Sequence, residues 1–402
     1  MEIIADLQIH SKYARATSKN ISIENLEKYA RIKGLHLLGV GDFQHPLRRK
    51  EIDEKLTEDE NGILKTANGF PFLWQTEVSL MYSQDEKRRA IHHLIFAPNT
   101  EIANQVTEFL GSKGRLDYDG RPIFGMTSPE LVEEMKRIDD KIEIIPAHCM
   151  TPWFGLFGSK SGFDSLKECF EDKVDKIYAI ESGMSADPAM LWRFDEKVNV
   201  VSFSDAHSFW PWRIGREATI FDVPEMTYEN IIKAIRTGEG LKSTIETPPE
   251  YGKYHWDGHR VCKFSCGPEK TKELNGICPV CERPMTIGVE NRVEEIAKHP
   301  DGFEPKNSKP FHKLLPLHEL ISLAINNGMQ SKRVWDIYNS MIEEQGNELN
   351  ILLKVPRENL RNFDQKLVDL IIKNREQNIK VEPGFDGEYG KALLGETQAK
   401  LI

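Results

Sequence analysis

Four short apolar runs in the first half of the chain each stop at an acid or a histidine. Residues 35–40 read as a strand ending at Gly41-Asp42, residues 142–145 run on to His148, residues 177–180 meet Glu181, and residues 199–203 end at Asp205-Ala206-His207. Amphipathic stretches with helix punctuation lie between them. Ser22 caps a segment carrying Ile23, Leu26, Tyr29 and Ala30 that Gly34 ends, and Ser128-Pro129 opens another through Leu131, Met135 and Ile138. Further helices are expected from about residue 164 to 170 and from 228 to 236. Strands alternating with helices predict an α/β fold, whose strand ends form the edge where sites are built. One polar strand end can simply cap a loop. Four in chain order point to a shared site.

Charge narrows the partners. Lys and Arg total 53 against 63 Asp and Glu, a net charge of -10, which argues against coating nucleic acid by bulk positive charge. Any such contact must be local. The amino terminus carries no basic region followed by an apolar run, and no stretch of about 18 apolar residues occurs. The expectation is a soluble cytoplasmic protein with no membrane partner.

Of six cysteines, four fall within twenty residues: Cys262, Cys266, Cys278 and Cys281, spaced C-x3-C-x11-C-x2-C. Two close pairs on tight turns can converge tetrahedrally on one Zn²⁺, and a closed Cys₄ set leaves no open position, so the role read from it is structural. Iron accepts the same ligands. His255 and His259 can replace a cysteine but are expected to support the loop.

A larger constellation comprises Gln8, His10, Asp42, Glu77, His92, His93, His148, Glu181, Asp205 and His207. Imidazoles and carboxylates suit borderline divalent metals, and a bridging carboxylate holds two of them about 3.5–4 Å apart, an arrangement that serves phosphate-ester hydrolysis. Neighbouring strand residues face opposite ways, so only one of His92 and His93 should reach the site. Glu181 can contact metal or base, or cap its loop.

The segments Ala5-Asp6-Leu7-Gln8-Ile9-His10-Ser11, Gly39-Val40-Gly41-Asp42, Thr76-Glu77, His93-Leu94, Pro146-Ala147-His148 and Ser204-Asp205-Ala206-His207 resemble the motifs of the polymerase and histidinol phosphatase (PHP) superfamily over roughly the first 225 residues. Residues 250–260 and the cysteine cluster look like those of the endonuclease Q family, in which a PHP domain joins a zinc module and a helical region. The resemblance implies a distorted (β/α)7-type PHP barrel over 1–245, a zinc-binding module over 246–290 and a helical C-terminal region over 291–402. It further implies two or three divalent metals (Zn²⁺, Mn²⁺ or Mg²⁺) on His10, Asp42, Glu77, His93, His148, Asp205 and His207. Glu77 would bridge, and Asp205, His207 and Glu77 would serve catalysis. Two positions depart from the superfamily pattern. Gln8 replaces the first histidine of His-x-His, and Phe43 follows Asp42 where a histidine is usual, so a third metal must lose a ligand or borrow one such as His45.

The implied activity is cleavage of DNA on the 5′ side of deaminated bases (uracil, hypoxanthine, xanthine), with the base flipped from the stack and water activated by metal. The implied location is nucleoid-associated. Basic residues among aromatics suit phosphate pairing and base stacking, which marks Lys12, Tyr13, Arg15 and Lys19, then Trp153, Phe154 and Lys160, then Trp212 and Arg213, together with Glu181, as DNA or base contacts. Two other readings remain open: a PHP phosphatase of a small metabolite, against which the zinc module argues, and a non-catalytic DNA-binding adaptor. Gln398-Ala399-Lys400-Leu401 resembles only the opening of a sliding-clamp peptide.

Overall fold

The apolar runs build one wall. Glu2–Asp6 lies parallel to Leu37–Gly39, which lies parallel to Pro71–Gln84. Lys87–Ala97 then doubles back antiparallel on Pro71–Gln84, and Glu143–Pro146 runs antiparallel to it in turn. Ala179–Glu181 and Asn199–Val201 pair parallel. The Cys149 amide donates to the Glu181 carbonyl at 2.9 Å, and a bridge between Ile9 and Ala206 joins the last strand to the first. In this computed structural model, which describes residues 1–393, the seven strands close a circuit. The two antiparallel pairings distort it, giving the α/β, (β/α)7-type barrel.

One face of these strands fills the interior with Ile3, Ala5, Leu7, Leu37, Leu73, Leu94, Phe96, Ile145, Ala147, Ala179, Val201 and Phe203, all fully buried. Helix Tyr228–Thr237 closes the end away from the candidate site. Its Tyr228 hydroxyl donates to the carbonyls of Phe96 and Lys141, and Arg236 pairs with Glu143 at 2.6 Å.

Helix Ile23–Lys33 forms as its punctuation requires. The Ser22 hydroxyl accepts from the Asn25 amide, and Gly34 turns left-handed at φ 97° to close the last carbonyls. Helix Ser128–Ile138 differs by one residue from expectation. Thr127, not Ser128, is the cap, in a reciprocal box with Glu130. That frees the Ser128 hydroxyl to meet His93 and Tyr82.

Beyond the barrel, Phe311–Lys313 adds a parallel edge strand to Leu241–Glu246, a strand not foreseen in a region read as helical. Helices Leu317–Ile325, Lys332–Gln345, Glu348–Leu353 and Gln365–Arg375 follow, and their core is continuous with that beneath helix Ile23–Lys33. The glycine-rich residues 380–390 return to the cysteine region, where Trp256 donates to the Gly384 carbonyl and Asp386 accepts from the Arg260 amide. Among the described residues no helix is long and apolar enough to cross a membrane. The clamp-like residues 398–401 lie outside the described residues.

Candidate metal centre and its surroundings

The buried carboxylate of Glu77 faces two groups of ligands at once. Its Oε2 lies 3.2 Å from His10 Nε2, which is 3.1 Å from Asp205 Oδ1. The rings of His10 and His207 stand 4.7 Å apart, and His10, Asp205 and His207 bring one ligand atom each to within 4.8 Å of one another, close enough to share a metal ion. On the other side, Glu77 Oε1 lies 2.7 Å from His92 Nδ1 and 3.5 Å from His148 Nε2, and these three form a second cluster. Five strands and the loops after them supply these side chains, so the shared site expected from the strand ends is a single place.

The donors fit divalent cations. Gln8 Oε1, His10 Nε2 and Asp205 Oδ1 are buried and have no hydrogen-bond partner among the described residues. Buried polar atoms are rarely left so, and a cation held by His10, Asp205 and His207 would satisfy the His10 and Asp205 atoms. Burial pushes His92 down to about 3, which keeps its imidazole neutral, the form that ligates. Although burial opposes ionisation of Glu77, the Arg121 guanidinium and His10 hold its carboxyl well below the ordinary range.

Neighbouring groups set the orientation of each ligand. Asp42 Oδ1 lies 3.0 Å from His10 Nδ1 and, bonded there, turns Nε2 towards Glu77. The other Asp42 oxygen accepts from the Ser11 amide and hydroxyl, both at 2.6 Å. His148 Nδ1 meets the Thr151 hydroxyl at 3.0 Å, which leaves Nε2 for the site. His207 Nδ1 lies 2.8 Å from the Asp205 carbonyl. Asp42, His148 and Asp205 all sit at positive φ, 54°, 33° and 48°, a strained backbone of the kind that clusters at functional sites.

Several expectations are corrected. His93 points away: its Nε2 meets Ser128 at 2.9 Å and its ring packs on Phe170. Register is the reason. Glu77 stands opposite Leu94, so Glu77, Leu94 and His92 share one face and His93 takes the other. Asp42 belongs to neither metal-competent cluster and acts through His10. His45 stacks on Tyr13 at 4.7 Å and caps a helix by accepting from the Leu47 amide, so it lends nothing to a third metal. Gln8 gives its amide nitrogen to Glu77 Oε2 at 2.7 Å and keeps its oxygen free. Sequence reasoning missed Arg121, whose Nη1 lies 3.2 Å from Glu77 Oε1. Nothing in Gly120-Arg121-Pro122 beyond a turn marks it.

At the cysteines, the cluster is His259, Cys262, Cys278 and Cys281. His259 Nδ1 lies 3.1 Å from Cys262 Sγ and 3.2 Å from Cys281 Sγ. Cys266, expected as a ligand, instead ends a strand whose pairing sets it opposite Asp257, and its Sγ meets the Thr271 hydroxyl at 3.3 Å. Against desolvation, the Val280 and Cys281 amides bring the Cys278 thiol down to about 7, towards the thiolate a metal needs. A tetrahedral Zn²⁺ fits three thiolates and one imidazole.

The family described as the MJ0043 C-terminal domain matches residues 316–378. Uncharacterized protein MJ0043 of Methanocaldococcus jannaschii is 35% identical over 253 residues, 61% of this chain but 31% of that protein's length. The crystal structure of the lesion-specific endonuclease PfuEndoQ from Pyrococcus furiosus is 31% identical and superposes with a TM-score of 0.89, covering 100% of this chain and 98% of that one. The chain belongs to the endonuclease Q family. A second endonuclease Q structure, in complex with a 27-mer duplex substrate carrying an abasic lesion at the active site, matches at TM-score 0.88 and 31% identity over 100% of this chain and 99% of that one.

Around the metal centre of this endonuclease Q family member, the expected DNA contacts divide. Trp153 is 44% exposed with its ring edge on Tyr254, and Phe154 beside it stacks on His92 with centroids 4.4 Å apart. Lys12, Tyr13, Arg15 and Lys19 line the loop after His10. Arg15 pairs with Asp119 at 3.2 Å, Lys12 with Glu51 at 3.4 Å, and Lys19 Nζ donates to the Lys12 carbonyl. Lys160 is exposed and Arg213 half-buried. Two expectations fail. Trp212 is buried, stacked on Trp210 and packed on Trp335 and His318. Glu181 is fully buried behind the site and accepts from the His148 amide; burial pushes its carboxyl well above the ordinary range. It braces the His148 turn, and its side chain has no exposed surface to offer.

Proposed function

We propose that this chain is a metal-dependent DNA repair endonuclease that hydrolyses the phosphodiester on the 5′ side of a deaminated base, with uracil, hypoxanthine and xanthine as the accepted lesions. The observation that carries the reading is the buried carboxylate of Glu77, with one oxygen towards His10 and Asp205 and the other towards His92 and His148. The duplex substrate seated in a related endonuclease Q supports DNA as the polymer. Divalent ions held by these groups (Zn²⁺, Mn²⁺ or Mg²⁺) would neutralise phosphoryl oxygens and lower the pKa of water. His10, Asp205 and His207 hold one side, and His92 and His148 the other. Asp42 fixes the His10 ring, Thr151 fixes that of His148, and the neutral His92 offers a lone pair rather than a proton. Trp153, exposed beside Phe154, is the stacking platform for a base turned out of the duplex, and Lys12, Arg15, Lys19, Lys160 and Arg213 would meet phosphates. The cysteine cluster holds a structural Zn²⁺.

The test is a set of labelled duplexes carrying one uracil or one hypoxanthine, incubated with and without Mn²⁺ and mapped to the nucleotide. Cleavage 5′ of the lesion, absent from undamaged duplex and abolished by chelator, is expected. Equal cutting of damaged and undamaged DNA would remove the lesion specificity, and no cutting with any divalent ion would remove the nuclease.

A further inference from the structure

Arg121 brings a cation to a place already built for cations. Its Nη1 donates to Glu77 Oε1 at 3.2 Å, the oxygen that also faces His92 and His148, while its side chain stays 24% exposed. Nε and Nη2 have no hydrogen-bond partner among the described residues. The loop that carries it is held from three sides. Asp119 accepts from the amides of Arg15 and Arg121, Gly120 donates to the Tyr13 carbonyl at 3.2 Å, and Gln44 donates to the Gly120 carbonyl at 2.6 Å. A side chain at Gly120 would strike the Asp42 carboxylate, so the loop sits hard against the residue that orients His10.

A guanidinium engaged through only one nitrogen on a fixed loop keeps most of its fork for another acceptor. Cations bound by the same Glu77 carboxylate would compete with Arg121 for its charge, which leaves the guanidinium in want of a further anion. A phosphodiester supplies that anion, with two non-bridging oxygens of matching geometry. We propose that Arg121 is a substrate-binding residue of the cleavage reaction, whose free N–H groups donate to a non-bridging oxygen of the scissile phosphate. This rests on the nuclease reading above. Arg121 moves no proton. As the bond from the water oxygen to phosphorus forms, with a water proton lost to solvent, and the bond from phosphorus to the 3′ oxygen breaks, with that oxygen taking a proton from solvent to leave as a hydroxyl, Arg121 stabilises the charge that gathers on the equatorial oxygens.

The full chain with Arg121→Gln and with Arg121→Lys tests this through two readouts. In chelator, where no cleavage occurs, the salt dependence of binding to a uracil duplex is followed by fluorescence anisotropy. With Mn²⁺, single-turnover cleavage is measured. Arg121→Gln is expected to lower the slope of log affinity against log salt by about one and to slow cleavage by about 100-fold. Arg121→Lys should keep the slope and recover part of the rate, and millimolar guanidinium should restore rate to Arg121→Ala. Wild-type cleavage with an unchanged slope and rate in Arg121→Gln would overturn the assignment and leave the nuclease intact. A wild type that cuts no duplex would overturn the nuclease reading and this assignment with it.

Discussion

His92 Nδ1 lies 2.7 Å from Glu77 Oε1, although the two residues stand on different strands and His93 is the histidine that the motif position favours. The pairing of Glu77 with Leu94 decides it. His92→Gln is therefore expected to lower cleavage at least about 100-fold and to reduce bound divalent metal, since it removes a ligand rather than a supporting group. His93→Gln should leave metal content and rate within a few-fold. Metal analysis of the two purified variants, beside their cleavage rates, checks the pair; the opposite order would return the ligand to His93.

That case shows what the sequence made legible and what it did not. Strand ends rich in acids and histidines were readable because each sits next to its own apolar run, and they do converge. Which of two adjacent histidines faces inward depends on cross-strand register, which no local pattern contains. Trp212 failed for a similar reason. An aromatic after a strand end reads as a stacking platform, but Trp335 and His318, more than a hundred residues later, cover it. Arg121 and His259 acquire their roles through loops folding onto distant residues. The extra edge strand Phe311–Lys313 is three residues long and carries no alternation to announce it.

Lys33 Nζ and Glu348 Oε1 are 2.7 Å apart, with side chains 1% and 0% exposed, and they tie the barrel to the helical region. Glu348 also accepts from the Tyr338 hydroxyl and the Leu317 amide. Lys33→Met leaves that carboxylate buried without its cation and should destabilise the protein by about 3–5 kcal/mol. Adding Glu348→Gln, which removes the stranded charge and keeps an acceptor, should recover more than half. Urea unfolding of wild type, single and double variants measures it.

His318 is fully buried among Tyr338, Trp335 and Trp212, with neither ring nitrogen bonded among the described residues, and burial with the nearby Lys33 charge brings it down to about 3. Below its ordinary value of 6.5 the unfolded chain takes up a proton that the folded chain refuses. This contribution to stability is therefore fully present above about pH 6.5 and is lost as pH falls towards 3. His318→Phe keeps an aromatic ring and should shrink the difference between the unfolding midpoints at pH 7 and pH 5. An unchanged difference would show that another group controls it.

Cys266 lies outside the cluster that His259 joins. Cys266→Ser should retain one zinc per chain at that cluster after a mild chelator wash, whereas Cys278→Ser should lose it and melt at a lower temperature. Loss of zinc from Cys266→Ser would restore the four-cysteine set.

Glu77 stands where it would join two cation positions. Crystals grown with Mn²⁺ and measured at the manganese edge test it directly. Two anomalous peaks about 3.5–4 Å apart, one against His10 and Asp205 and the other against His92 and His148, with Glu77 between them, are the expected result; no peak beside Glu77 would contradict the account.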